Sequence, residues 1–281
     1  MQRSGMGFDV ALHEHPTGRP TLAYQGVMMA PPPPSCPAGW RTAPPDFIGV
    51  GAQRAGTTRW FDLIAAHPQI QAPPATRKEL HYFDRFHAGG FTAADAAAYS
   101  GYFPRPPGRL TGEWTPVYLA APWAPGMLAA AAPNAKLLVS LRDPVERYLS
   151  GLQRQHRVAR ASDAPLNAMA PLDAFVRGLY HAQLTRLLDR YERSQVLVLQ
   201  YERCVREPLA QLARTFAFLG VNDAAFVPDV DAHPNRQAEK PPLHADARRA
   251  LVEAYAPDVV ELCRRFPEID LGLWPNFAQL G

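Results

Sequence analysis

Lysine is nearly missing from this chain. Of 29 basic residues in 281, only Lys78, Lys136 and Lys240 are lysines, and arginine carries the rest of the positive charge. A compositional bias of the source genome accounts for the shortage, but two of the three lie in segments that carry functional signals. Cysteine is scarce as well. Cys36, Cys204 and Cys263 are odd in number, widely spaced and without a C-x-x-C pair, which argues against a disulfide framework or a cysteine metal site and fits a reducing compartment. No stretch reaches the roughly 18 consecutive apolar residues of a membrane span, and no basic-then-apolar leader opens the sequence. A cytoplasmic protein is expected. The formal net charge of +3 is too small to demand nucleic acid or an acidic membrane surface as a partner.

The stretch that is most informative is Asp46 to Thr58, DFIGVGAQRAGTT. Phe47, Ile48 and Val50 read as a buried parallel strand, and Thr58 to Ala66 as the helix behind it, closed by His67-Pro68. Backbone amides at such a loop, together with the positive end of the helix dipole, hold an anion, and Arg54 adds a full charge. A nucleotide triphosphatase would place Lys and then Ser or Thr after the second glycine; Thr57-Thr58 stands there instead. With its cation inside the turn, the loop suits an anion transferred without magnesium, and no metal site is expected.

GAQRAGTT resembles the phosphosulfate loop of sulfotransferases that use 3′-phosphoadenosine 5′-phosphosulfate, in the branch similar to heparan sulfate sulfotransferases. Three further segments agree with that family in order: Lys78-Glu-Leu-His-Tyr-Phe-Asp84, Leu141-Arg-Asp-Pro-Val-Glu-Arg-Tyr-Leu-Ser150, and Gly178 to Leu184 leading into Gln195 to Glu202. The resemblance runs from about Asp46 to the C-terminus. It implies a sulfotransferase fold, with 3′-phosphoadenosine 5′-phosphosulfate as donor and adenosine 3′,5′-bisphosphate as product. It assigns Gln53, Arg54, Ala55, Gly56, Thr57 and Thr58 to the donor, Glu79 to the general base and Arg54 to electrostatic catalysis. His81 is the rival base and a substrate-binding candidate. Leu110 to Tyr118 resembles a family segment written G-E-K-T/S-P-x-Y, but Trp114 takes the place of the Lys, so the role of that Lys does not carry over; Trp114 either stacks on acceptor or cofactor or is simply buried. His233 to Leu243 resembles a late loop that closes over the nucleotide, which makes Arg236 and Lys240 candidates for further phosphate contacts.

Elsewhere the residues speak for themselves. Lys136 to Leu141 is a second apolar strand ending in Arg142. Asp143 can N-cap the next helix, Pro144 suits its first position, and Glu146 completes a capping box. Ser150 then lies about two turns along, so Arg142 and Ser150 can converge on one phosphate, the way the family reads a 3′-phosphate. Gln153 to Ala170 is polar and without apolar period, and is expected to be a loop beside the acceptor. Leu172 to Tyr191 reads as one helix, Gln195 to Leu199 as a third buried strand, Pro208 to Leu219 as a helix stopped by Gly220, and Ala245 to Phe266 as the final helix. Residues 1–45 are expected to form a proline-rich tail or strap, with 46–281 as a single α/β domain. Its central parallel sheet, in outline like that of P-loop kinases, is built from the strands near Phe47, Leu137 and Val196. The leading function is sulfuryl transfer to a hydroxyl, with an amine as the lesser alternative, of a sugar, glycolipid or small metabolite. A P-loop small-molecule kinase and a non-catalytic nucleotide-binding protein are the rival readings.

Overall fold

The computed structural model describes residues 10–14, 20–24, 30–72, 78–161, 168–221, 226–227, 229–231 and 243–281. Two short strands, β1 (Val10–Glu14) and β2 (Pro20–Tyr24), pair antiparallel. A two-residue strand β3 (Arg41–Thr42) leads into β4 (Phe47–Gly51), helix α1 (Thr57–Ala65) and β5 (Ile70–Gln71). Helix α2 (Ala93–Tyr99), β6 (Pro104–Arg105), β7 (Leu110–Trp114) and α3 (Ala124–Ala131) precede β8 (Lys136–Leu141) and α4 (Pro144–Ala161). Then come α5 (Ala170–Val176), α6 (Tyr180–Leu188), β9 (Val196–Gln200), α7 (Tyr201–Arg206), α8 (Pro208–Leu219) and α9 (Ala245–Arg265).

The central sheet has five strands in the order β5-β7-β4-β8-β9, and every described pairing within it is parallel. β4, β8 and β9 are buried at nearly every position, as strands covered on both faces must be. Alternate residues point to opposite faces. Ile48, Val50, Leu137, Val139, Leu141, Val196 and Val198 therefore enter one apolar cluster, with α3, α4, α6 and α9. Phe47, Leu138, Leu197 and Leu199 enter the other, with α1 and α8. The fold is α/β with a central parallel sheet, and the loops after β4, β7 and β8 emerge at the carboxyl edge, where such sheets bind ligands.

Two local expectations need correction. Gln153 to Ala170 is not a loop throughout: α4 continues to Ala161, because Arg and Gln are good helix formers and a helix with one packed side shows little apolar period. Leu172 to Tyr191 is two helices, broken at Gly178, where a Cβ would lie 2.7 Å from the Tyr255 ring. The segment Lys78 to Asp84 is irregular, with a turn at Tyr82-Phe83 leading into a 3₁₀ turn at Asp84–Phe86. The closing segment does pack down, with Trp274 and Phe277 fully buried.

In the pairing of β4 with β7, the register partner of Gly49 is Trp114. A Cβ there would fall 2.0 Å from the indole, closer than any side chain can tolerate. Gly49→Ala should therefore cost about 1 to 3 kcal/mol or more through overpacking. Urea unfolding monitored by circular dichroism should show a lower midpoint with an unchanged slope.

Candidate active site

The loop after β4 is shaped by backbone first. Arg54 (φ 71°) and Gly56 (φ 73°) both take left-handed conformations, and Gly56 is the N-cap of α1. At Gly56 a Cβ would also lie 2.7 Å from the Tyr201 ring, so glycine is required by conformation and by space. The first amides of α1 have no acceptors inside the helix and face the hollow of the loop. Ser140 of β8 fastens the loop to the sheet: its hydroxyl donates to the Ala55 carbonyl at 2.7 Å and its carbonyl accepts the Ala52 amide at 2.8 Å.

Arg54, Arg142 and Ser150, separated in sequence, are brought together here. The Arg54 Nε donates to the Ser150 Oγ at 3.0 Å. The Arg142 Nη1 donates to the Arg54 carbonyl at 3.1 Å, and its guanidinium lies 4.7 Å from the centre of the Tyr201 ring. Burial lowers the Arg54 pKa, and the charges of Arg154, Arg142, Arg157 and Arg147 push the same way. Among the described residues no carboxylate forms an ion pair with Arg54 or Arg142. The result is a cluster of arginine charge with no acidic partner among the described residues, beside the N-terminus of α1.

The second part of the site is held against β7. Glu113 and Thr115 accept the amides of Leu80 and His81 at 3.1 and 3.3 Å, and the Trp114 amide donates to the Lys78 carbonyl at 2.9 Å. This places the Lys78 Nζ 3.1 Å from the Thr57 hydroxyl, at the phosphate loop, and 3.0 Å from Glu79. Glu79 in turn meets His81 Nε2 at 3.2 Å, and His81 Nδ1 meets Asp84 at 2.7 Å. His81 is itself in a left-handed conformation (φ 53°), which turns its ring back between the two carboxylates. Burial alone would raise the Glu79 carboxyl, but the His81 bond and the Lys78 ammonium outweigh it and hold it at about 2. Burial would lower the His81 imidazole, yet bonds to Asp84 and Glu79 raise it to about 9. Burial lowers the Lys78 ammonium, with Glu79 opposing.

Trp114 does not reach acceptor or cofactor. Its side chain has no exposed surface, packs among the apolar residues on the α1 face and donates its indole N–H to the Gly51 carbonyl at 3.2 Å. It buttresses the loop from behind. The capping box is also replaced: Asp143 does cap α4, accepting the Val145 and Glu146 amides, but its own amide donates to Glu202 at 3.0 Å, and Glu146 bonds Arg248. Gln53 and Thr58 lie on the rim of the loop, half-buried and exposed. Arg236 and Lys240 lie outside the described residues. Sequence reasoning overlooked Lys78, Asp84 and Glu113; the signals available were that Lys78 is one of three lysines and that all three residues stand inside matched segments.

An α/β sheet with an anion-binding loop at its carboxyl edge defines a class of group-transfer and nucleotide-binding proteins. Comparison with known proteins is narrower. Residues 93–225 match the sulfotransferase family model. Mouse heparan sulfate glucosamine 3-O-sulfotransferase 3B1 is 31% identical over 190 residues, covering 63% of this chain and 46% of that protein, and the human protein of the same name is 30% identical over 190 residues. The chain spans about half the length of these curated relatives. A sulfotransferase from Alicyclobacillus acidocaldarius superposes with a TM-score of 0.64 at 27% identity, covering 83% of this chain and 99% of that one. Sulfotransferase STF9 from Mycobacterium avium shares the fold, with a TM-score of 0.57 at 16% identity over 80% of this chain and 77% of its own. Family model, curated relatives and solved structures all point the same way: the chain is similar to sulfotransferases.

The carboxylate–imidazole–carboxylate row is directly testable. The His81 imidazole should titrate by NMR with a midpoint near 9, and Asp84→Asn should bring it down toward the ordinary value of about 6.5. A wild-type midpoint at or below 7 would refute the ion-paired arrangement. A raised histidine stabilises the fold fully below 6.5 and loses that contribution as pH climbs through about 9; a depressed Glu79 contributes fully above 4.5 and loses it as pH falls through about 2. Both contributions are complete between those two ordinary values.

Proposed function

We propose that this protein transfers the sulfuryl group of 3′-phosphoadenosine 5′-phosphosulfate to a hydroxyl, or as the lesser alternative an amine, of a glycan or small-molecule acceptor. The observation that carries the reading is the convergence of Arg54, Arg142 and Ser150 beside the loop amides, a cluster of positive charge with no acidic partner among the described residues. A donor with phosphates at both ends fits that chemistry: the loop amides and Arg54 would hold the phosphosulfate, Arg142 and Ser150 the 3′-phosphate. Arg236 and Lys240 would add contacts from the late loop. The relatives named for heparan sulfate glucosamine 3-O-sulfation support hydroxyl chemistry and a sugar acceptor.

In the proposed reaction the acceptor oxygen attacks sulfur, and the bond from sulfur to the bridging phosphate oxygen breaks with its electron pair remaining on that oxygen. Arg54 and the loop amides stand where this charge grows and need no rearrangement to meet it. Lys78, hydrogen-bonded to Thr57, adds a cation on the same side of the loop, although position 114 carries no lysine. Glu79 takes the acceptor proton. Its pKa of about 2 leaves it ionised at every working pH. As the new bond to sulfur forms, the hydroxyl becomes strongly acidic, so even a weak base accepts the proton downhill. His81, charged and anchored by Asp84, aims the carboxylate and cannot itself take a proton near neutrality. It also lines the side from which an acceptor would approach Glu79.

Nucleotide binding tests the class. Adenosine 3′,5′-bisphosphate should raise the melting temperature, while ADP with magnesium should not; the reverse result would make the protein a kinase. Binding without turnover on any acceptor would make it a non-catalytic nucleotide-binding protein.

The base is tested by pH and mutation. Glu79→Gln should leave nucleotide affinity nearly unchanged and lower turnover by about 10²- to 10⁴-fold. Wild-type kcat/KM should stay flat from about pH 5 to 8, because Glu79 is ionised and His81 protonated throughout. Were His81 the base, the rate would climb about tenfold per pH unit toward 9, and His81→Ala would abolish turnover while Glu79→Gln spared it.

A further inference from the structure

The turn that presents Arg142 is gripped on both sides. On one side the Tyr180 hydroxyl donates to the Arg142 carbonyl at 2.9 Å. On the other, the next amide, that of Asp143, donates to Glu202 Oε1 at 3.0 Å. Asp143 itself has both carboxylate oxygens engaged: Oδ1 caps α4, while Oδ2 accepts the Asn276 backbone amide at 3.1 Å and the Asn276 side-chain amide at 2.9 Å. Glu202 is held by the Trp274 indole N–H at 2.9 Å. Gln200, at the end of β9, exchanges hydrogen bonds with the backbone of Asp270 in both directions, at 2.8 and 3.1 Å. Arg248 of α9 closes the outer side, donating to the Asn276 side-chain oxygen and to Glu146. Trp274 and Phe277 are fully buried beneath this network.

We propose that the segment 270–277 is a positioning element for Arg142: Asn276 and Trp274, acting through Asp143 and Glu202, fix the direction in which the guanidinium is offered to the nucleotide. The inference rests on the reading of Arg142 as a 3′-phosphate contact. None of these C-terminal residues can touch the anion, since each is spent on the turn. Their effect is on freedom. With its carbonyl and the following amide both tied, the peptide flanking Arg142 cannot rotate, and binding has only the side-chain torsions left to order. The Tyr201 ring under the guanidinium restricts those, and Tyr201 precedes Glu202 directly, so the same clasp that holds the turn also holds the platform. The segment lies outside residues 93–225, where the family model matches.

Calorimetric titration of the full chain with two probes, adenosine 3′,5′-bisphosphate and AMP, tests the proposal. Asn276→Ala should weaken the bisphosphate about threefold to tenfold, the scale of one newly mobile side chain, and leave AMP within twofold. The donor KM should rise by a similar factor with kcat at saturating donor unchanged. In an Arg142→Ala background, Asn276→Ala should have no further effect on the ratio of the two affinities. Trp274→Phe, which keeps the ring and deletes the indole N–H, should act in the same direction and serves if Asn276→Ala does not fold. Equal weakening of both nucleotides, or a lower melting temperature with the affinity ratio intact, would overturn the positioning role. If instead Arg142→Ala itself leaves the ratio unchanged, it is the phosphate reading of Arg142 that fails.

Discussion

Glu113 is a carboxylate with no exposed surface, and the site hangs from it. Burying a lone carboxylate costs several kcal/mol unless its lone pairs are filled. Here they are filled by the Leu80 amide, the hydroxyls of Tyr99 and Tyr118 and the adjacent Thr115 hydroxyl. Each donor comes from a different part of the chain: the segment carrying Glu79 and His81, helix α2, the turn after β7, and β7's own end. The segment from Lys78 to Phe83 has no regular secondary structure to fix it, and what takes the place of a sheet ladder is the group of Glu113, Thr115 and Tyr118 side chains with one backbone bond from Trp114 to Lys78. The Glu79 carboxylate is held in place because Glu113 spends its charge on hydrogen bonds to its surroundings. Burial raises the Glu113 pKa, the ordinary consequence of removing a charged group from water.

The two halves of the site use charge in opposite ways. Around Arg54 the positive charges repel one another, and the local field is at its least comfortable when no anion is near. Around His81 the charges alternate in sign from Lys78 through Glu79 and His81 to Asp84, so that row is satisfied by itself. Under the proposed function, a nucleotide would gain most from the arginine half, whereas the row from Lys78 to Asp84 is preset and needs no ligand to assemble. The two halves are separate in their bonding, since no described hydrogen bond joins Glu79 to Arg54 or Arg142.

Three of the five strands of the sheet were legible in the sequence, because parallel strands buried on both faces are continuous apolar runs and Phe47, Leu137 and Val196 announce themselves, whereas β5 and β7 were not read as strands. The strand–loop–helix unit at Phe47 to Ala65 was legible because an apolar run broken by bracketing glycines marks a tight turn into a helix. What escaped were features decided by packing. Trp114 reads equally as a ligand platform or as core, and only the absence of a Cβ at Gly49 shows which. Helix α4 past Ser150 has almost no apolar period because it rests on the rest of the protein along one narrow side. Glu146 sits at the right spacing for a capping box, yet Glu202, which no local rule connects to residue 143, takes the amide first. The break at Gly178 depends on a tyrosine far along the chain. Propensity and period describe neighbours in sequence, and each of these outcomes was set by a neighbour in space.

One bond in the network carries a temporal meaning. Asn276 closes the turn at Asp143 across 133 positions of sequence. A ribosome adding about 5 to 20 residues per second takes on the order of ten seconds to cover that distance. Through that interval the nascent chain holds β4, the phosphate loop and β8 but must leave the Asp143 Oδ2 to water. The strands β5, β7, β4 and β8 can pair early while the turn at Asp143 stays unlocked, and a chaperone or a protease meeting the protein in those seconds meets a sheet with an open rim.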